Sequence, residues 1–231
     1  MAAPQEYRQH RFAPPPGAVE LLIVRHGESE AARDGELFAL HDGQGDPALH
    51  PAGQEQAILV GERLRHEPLD AIYVSTLRRT SETAAPLAAH LDLEPIVLAD
   101  LREVHLGEWE GGLLRKHVAE GHPAALRMGE QQSWDVIPGA EPAEAFRSRL
   151  RGAIATIAER HPDQRVAVFT HGGVIGELLA IASGATTFAF AGADNGSISQ
   201  LVVAGDRWMV RRYNDTSHLT DAFSTAPEPP T

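Results

Sequence analysis

Three short stretches of this chain combine residue types that handle anions. Arg25-His26-Gly27-Glu28 follows an apolar run at 21–24, Ser75-Thr76-Leu77-Arg78-Arg79 follows one at 71–74, and His171-Gly172-Gly173 follows one at 166–169. A guanidinium is a planar, permanently charged fork that matches phosphate oxygens. An imidazole is neutral near pH 7 and is able to attack as a nucleophile. Gly27, Gly172 and Gly173 let backbone come close to a ligand, and a helix starting near Gly173 aims its positive end at an anion. Any one of these segments alone is weak evidence. Two histidines and at least two arginines arriving behind three separate runs form a constellation. The chain has no Gly-x-x-x-x-Gly-Lys-Ser/Thr loop, so a nucleotide-binding P-loop is not the route.

The elements that must position these groups are legible as alternating patterns. The runs at 21–24, 71–74 and 166–169 are short and continuously apolar, as strands buried on both faces are. Helices are expected over 51–66, 77–91, 141–160 and 173–183, the second carrying a Pro86 that should kink it. A short strand is expected at 96–98, and a hairpin at 198–203 and 208–210 around a turn at 204–207. The region 113–138, with Gly121, Pro123 and Gly129, reads as an irregular insertion or lid. Strand–helix alternation predicts an α/β fold, a three-layer sandwich with a mostly parallel sheet and an antiparallel edge. In such a sheet ligands bind beyond the carboxyl ends of the strands, where the three segments fall.

Composition sets outer limits. The 231 residues suit one domain at 19–221, between a Pro-rich leader at 1–18 and a loose tail at 222–231. A formal net charge of -12 argues against nucleic acid or an anionic membrane as partner. No cysteine is present, which excludes disulfides and thiol catalysis. No apolar run reaches the length of a membrane span, and the leader has no secretory pattern, so a cytoplasmic location is the expectation. His105, His117 and His122 have no metal-ligand spacing and read as scattered surface histidines. A homodimer stays open.

With its neighbouring motifs, Arg25-His26-Gly27-Glu28 resembles the histidine phosphatase superfamily, which includes the cofactor-dependent phosphoglycerate mutases. The other motifs are Asp46-Pro-Ala-Leu49 with Gly53 and Gln56-Ala57, Ser75-x-x-Arg78-x-x-x-x-Thr83-Ala84, Leu101-x-Glu103-x-x-x-Gly107-x-Trp109-Glu-Gly111, and Thr170-His171-Gly-Gly-Val174. The resemblance implies a phosphoglycerate mutase-like fold and a small phosphorylated substrate. It implies that His26 becomes phosphohistidine, that Arg25, Arg78 and His171 hold the phosphoryl oxygens, and that Glu103 protonates the leaving oxygen and then activates water. It implies no metal and no cofactor. Arg79 is expected to face solvent or pair with Glu82, Glu28 to cap a turn or order Arg25, and Trp109 to pack beneath the Glu103 loop.

The same resemblance separates hydrolysis from isomerisation. Family mutases usually carry Asn at the position of Ala32 and Arg-His-Tyr where Val104-His105-Leu106 stands. Their later Arg-Arg pair has no counterpart near 131–134. These departures favour a metal-independent phosphomonoesterase over a mutase. A non-catalytic phosphate-recognising module is the third reading, and retention of all five polar positions speaks against it. A serine hydrolase would need a Gly-x-Ser-x-Gly elbow that the chain lacks. Arg115 and Lys116 lie in the least matched region, where contact with an acidic substrate would be made.

Overall fold

The computed structural model describes residues 5–220. The expected tail at 222–231 and the first four residues of the leader lie outside them. In chain order the elements are β1 (Val19–Arg25), β2 (Leu40–His41), β3 (Gln44–Gly45), α1 (Pro51–Leu64), β4 (Ala71–Val74), α2 (Arg78–Leu91), β5 (Ile96–Val97), α3 (Leu113–Ala119), α4 (Pro123–Gln131), α5 (Ala143–Arg160), β6 (Arg165–Thr170), α6 (Gly172–Ser183), β7 (Ile198–Ala204) and β8 (Arg207–Asp215). The main sheet has the order β5-β4-β6-β1-β7-β8. β1, β6, β4 and β5 run parallel, while β7 pairs antiparallel with both β1 and β8.

Side chains of β1 alternate between two cores, because successive residues of a strand face opposite sides of the sheet. Leu21 and Ile23 join Tyr73, Val168, Phe146, Leu150 and Leu178 under α5 and α6. Leu22 and Val24 join Ile72, Phe169, Val60 and Leu87 under α1 and α2. This makes the three-layer sandwich, and it explains why β1, β4 and β6 read as unbroken apolar runs. α2 continues through Pro86. β8 extends five residues beyond the expected end of its hairpin strand, to Asp215.

The region 113–138 is more regular than its glycines suggested. α3 and α4 pack with Trp109 and Ile137 into a small third core that also takes in Ala124 and Ala125. His117 and His122 are not scattered. Their rings lie 4.7 Å apart and both contact Trp109. Among the described residues no helix is long and apolar enough to cross a membrane.

Candidate active site

The site assembles where β1, β4 and β6 end. His26 follows β1 directly, and its backbone is fixed on both sides: its N–H donates to the Thr170 carbonyl at 3.0 Å, and its carbonyl accepts from Asn195 Nδ2 at 2.9 Å. α1 starts close against this turn. A Cβ on Gly53 would lie 2.0 Å from the Glu28 carbonyl oxygen, so only glycine lets the helix approach.

The His26 ring is buried and its protonation pattern follows from its partners. Nδ1 lies 2.7 Å from the Gly27 carbonyl, which only accepts, so Nδ1 carries the proton. Nε2 then holds the lone pair, and it accepts from Arg79 Nε–H at 3.2 Å. Burial pushes the His26 pKa well below the usual histidine range, and the charges of Arg79 and Arg25 push it further. A neutral imidazole whose Nε2 is unprotonated beside guanidinium groups is able to attack an electrophilic phosphorus once Arg79 turns its N–H to a phosphoryl oxygen.

Arg79 occupies the place expected for Arg78. Arg79 is 8% exposed, lines the cavity with His26, and donates Nη1 to the Gly45 carbonyl at 3.0 Å. Burial lowers its pKa to about 10, so it stays charged at neutral pH. The Arg78 side chain is 55% exposed and donates Nε to Glu82 Oε1 at 2.9 Å. Helix geometry is the reason. Arg78 and Glu82 stack at i, i+4 on the outer face of α2. Arg79, Thr80, Thr83, Ala84 and Leu87 are its buried residues. Thr83 ties this face to the nucleophile segment, accepting from the Gly27 N–H at 3.0 Å and donating to the Arg79 carbonyl. The burial of Thr80, Ala84 and Leu87 was the signal that could have picked Arg79.

Arg25 also lines the cavity, donates Nη1 to the Ala193 carbonyl, and has its pKa lowered by burial. Its Nε is buried without a hydrogen-bond partner. His171 is fully buried, with its ring centroid 5.1 Å from that of His26. Its Nε2 lies 2.9 Å from Ser75 Oγ, while Nδ1 has no partner. Burial, then Arg79, then His26 hold its pKa well below the usual range. Buried polar groups left open in this way are costly, and they mark a place where a ligand would complete the hydrogen bonding.

Glu103 stands on the same cavity. Its Oε2 accepts from the Gly173 N–H at the start of α6 and its Oε1 from the Val104 N–H, each at 3.0 Å. Each oxygen retains a lone pair for a proton. Two residues without a place in the sequence reading hold this segment. Gln44 Nε2 donates to the Glu103 carbonyl at 2.8 Å. Arg149 on α5, paired with Glu141, donates to the carbonyls of Asp100, Arg102 and Glu103. Glu28 faces His50, at 3.9 Å, rather than Arg25. Trp109 is buried in the third core and forms part of the cavity wall, together with Phe38, Val104, Leu106 and Leu114.

The arrangement therefore offers a neutral nucleophile, the guanidinium groups of Arg25, Arg79 and Arg115, and the carboxylates of Glu103 and Glu110 on one cavity. The sequence model for the histidine phosphatase superfamily (branch 1) matches residues 21–216. The chain is 33% identical over 206 residues to a metal-independent phosphoserine phosphatase of Arabidopsis thaliana, covering 87% of this chain and 83% of that protein. It is 32% identical over 206 residues to phosphoglycerate mutase-like protein 4 of the same plant, covering 87% of each. Among solved structures, the mycobacterial glucosyl-3-phosphoglycerate phosphatase superposes with a TM-score of 0.72 at 29% identity, over 86% of this chain and all of that one.

Proposed function

Because the chain belongs to the histidine phosphatase superfamily, we propose that it is a phosphomonoester hydrolase acting on a small phosphorylated metabolite through a phosphohistidine on His26. The observation that carries this reading is the orientation of His26, with Nδ1–H spent on the Gly27 carbonyl and the Nε2 lone pair presented beside Arg79. In the first step Nε2 bonds to phosphorus, and the bond from phosphorus to the ester oxygen breaks. Arg79, Arg25 and His171 hold the three phosphoryl oxygens, and protonated Glu103 gives its proton to the departing alcohol. In the second step Glu103 takes a proton from water, whose oxygen bonds to phosphorus and frees His26. Catalysis here is positioning and charge stabilisation. Relatives named as phosphoserine phosphatase and glucosyl-3-phosphoglycerate phosphatase support hydrolysis. So do the apolar Val104 and Leu106 on the wall beside Glu103, where the resembling mutases carry Arg and Tyr.

Phosphorus NMR tests the reading directly. Wild type and His26→Ala are incubated with p-nitrophenyl phosphate and 3-phosphoglycerate, with EDTA and a trace of 2,3-bisphosphoglycerate. Inorganic phosphate is expected from the wild type, with the variant slower by about 10^5-fold. Rapid appearance of 2-phosphoglycerate without phosphate release would instead make the chain a mutase.

A further inference from the structure

We propose that Asn214, on the edge strand β8, is a positioning residue for the phosphate pocket: it holds the Asp194 carboxylate off the Arg25 guanidinium, which stays open for a phosphoryl oxygen. The assignment rests on the role given to Arg25 in the hydrolase reading above. The chain before β7 grips the nucleophile segment. The Gly196 N–H donates to the Arg25 carbonyl and the Arg25 N–H to the Ser197 carbonyl, each at 3.1 Å, while the Ala193 carbonyl takes Arg25 Nη1. In a planar trans peptide the carbonyl oxygen and the following Cα lie on the same side. The Asp194 side chain therefore starts beside the guanidinium that the Ala193 carbonyl holds.

Burial lowers the Arg25 pKa, and the fields of Glu103 and then Asp194 oppose it. The guanidinium nonetheless pairs with no carboxylate among the described residues, and its Nε stays open. Both acids are tethered elsewhere. Glu103 accepts from the Gly173 and Val104 N–H groups. Asp194 Oδ2 accepts from Asn214 Nδ2 at 2.7 Å, and Asn214 Oδ1 accepts from the Asp194 N–H at 2.6 Å. The strand is bent to make this clamp. Between the pairs Ile198–Asp215 and Gln200–Arg212 the lone Ser199 faces both Tyr213 and Asn214. Such a bulge re-aims a side chain. Asn214 takes a φ of +53°, which asparagine tolerates better than most residues, and its N–H donates to Ser199 Oγ at 3.2 Å. Tyr213 already ties the loop to β8, donating to the Phe190 and Ala191 carbonyls at 3.0 and 3.1 Å. What the Asn214 carboxamide adds is restraint of the acid. A carboxylate free to turn would take the buried guanidinium as its counter-ion, in competition with phosphate.

Calorimetry with inorganic phosphate compares wild type, Asp194→Asn, Asn214→Gly and the double variant. Glycine accepts the φ of Asn214, so the substitution removes the clamp without straining the strand. Asn214→Gly should weaken phosphate binding about 20-fold, the weight of one charge-assisted hydrogen bond. Asp194→Asn should change it less than about 2-fold in wild type, yet restore it to within about 3-fold of wild type in the Asn214→Gly background. A merely loosened loop would cost the same in both backgrounds. Should Asn214→Gly not fold, Asn214→Asp, which keeps the acceptor for the Asp194 N–H, enters the same cycle. Equal effects of Asp194→Asn in the two backgrounds, undiminished affinity in Asn214→Gly, or no phosphate binding by wild type would overturn the proposal. Hydrolysis of p-nitrophenyl phosphate by wild type is read separately: its absence would remove the hydrolase reading, while the phosphate affinities still judge the clamp.

Discussion

The carboxyl edge of the sheet and the wall facing it across the cavity are built differently. At the edge, β1 and β6 are paired over six residues and buried by helices on both faces. His26 and His171 stand one residue beyond them, so the backbone that carries each is fixed by the sheet. The wall rests on Trp109, Ala124, Ala125 and Ile137, and α3 contributes no buried residue to it. Few apolar contacts mean low local stability. Groups that must meet phosphorus within a fraction of an ångström sit on the rigid side. Arg115 of α3, which also lines the cavity, sits on the side that is cheaper to remodel.

The sharpest separation between machinery and surface is expected between two adjacent residues. Arg79→Ala removes a buried donor aimed at the reacting group and should lower kcat/KM for p-nitrophenyl phosphate by about 10^3-fold. Arg78→Ala removes an exposed i, i+4 ion pair worth about 0.3–0.5 kcal/mol, and should change kcat/KM less than 2-fold. Steady-state kinetics of the two variants decides it. If Arg78 were the more damaging loss, the placement of α2 against the edge would be wrong.

How far this edge was legible in the sequence follows from the same pair. His26, His171 and Arg25 could be placed at this edge because each comes just after an unbroken apolar run. Glu103 could be found only by resemblance, since its position is set by contacts of high sequence separation, from Gly173, Gln44 and Arg149. Arg78 was preferred to Arg79 because a motif counted in residues carries no direction, whereas the helix gives neighbouring residues faces about 100° apart. The stacking of His117 on His122 was hidden for a similar reason. It depends on the turn between α3 and α4 bringing both rings to Trp109, and no local period encodes that. The packing role of Trp109 was readable, since a large apolar ring beside a short loop has to be buried somewhere.

A smaller effect probes how the edge holds Glu103. A Cβ on Gly173 would lie 2.5 Å from Glu103 Oε1, so the carboxyl must move in Gly173→Ala. The nucleophile and Arg79 are untouched. A misplaced acid costs most when the leaving group needs a proton. The variant should therefore lose about 10^2-fold in kcat on an alkyl phosphate, and on the order of 3-fold on p-nitrophenyl phosphate, whose leaving group departs unprotonated. Equal losses on the two substrates, measured side by side, would show that the alanine disturbs phosphate binding instead and that Glu103 is not the acid.

The smallest effect is on stability, and its sign is fixed by the two buried histidines. His26 and His171 both have folded pKa values well below the unfolded histidine value, chiefly through burial. Above the unfolded pKa, near 6.5, both states are neutral and the full stability is present. As pH falls below that, the unfolded chain takes up protons that the folded chain refuses, and stability is lost toward the folded pKa. The slope approaches about 1.4 kcal/mol per pH unit for each such histidine. Thermal unfolding in phosphate-free buffer should therefore show Tm dropping by several degrees between pH 7 and 5.5. His171→Asn removes one of the two groups and should roughly halve that dependence, whatever it does to Tm at pH 7. A slope unchanged by the substitution would mean that the edge admits a protonated imidazole, and the rigid, dry character assigned to it against the wall would have to be given up.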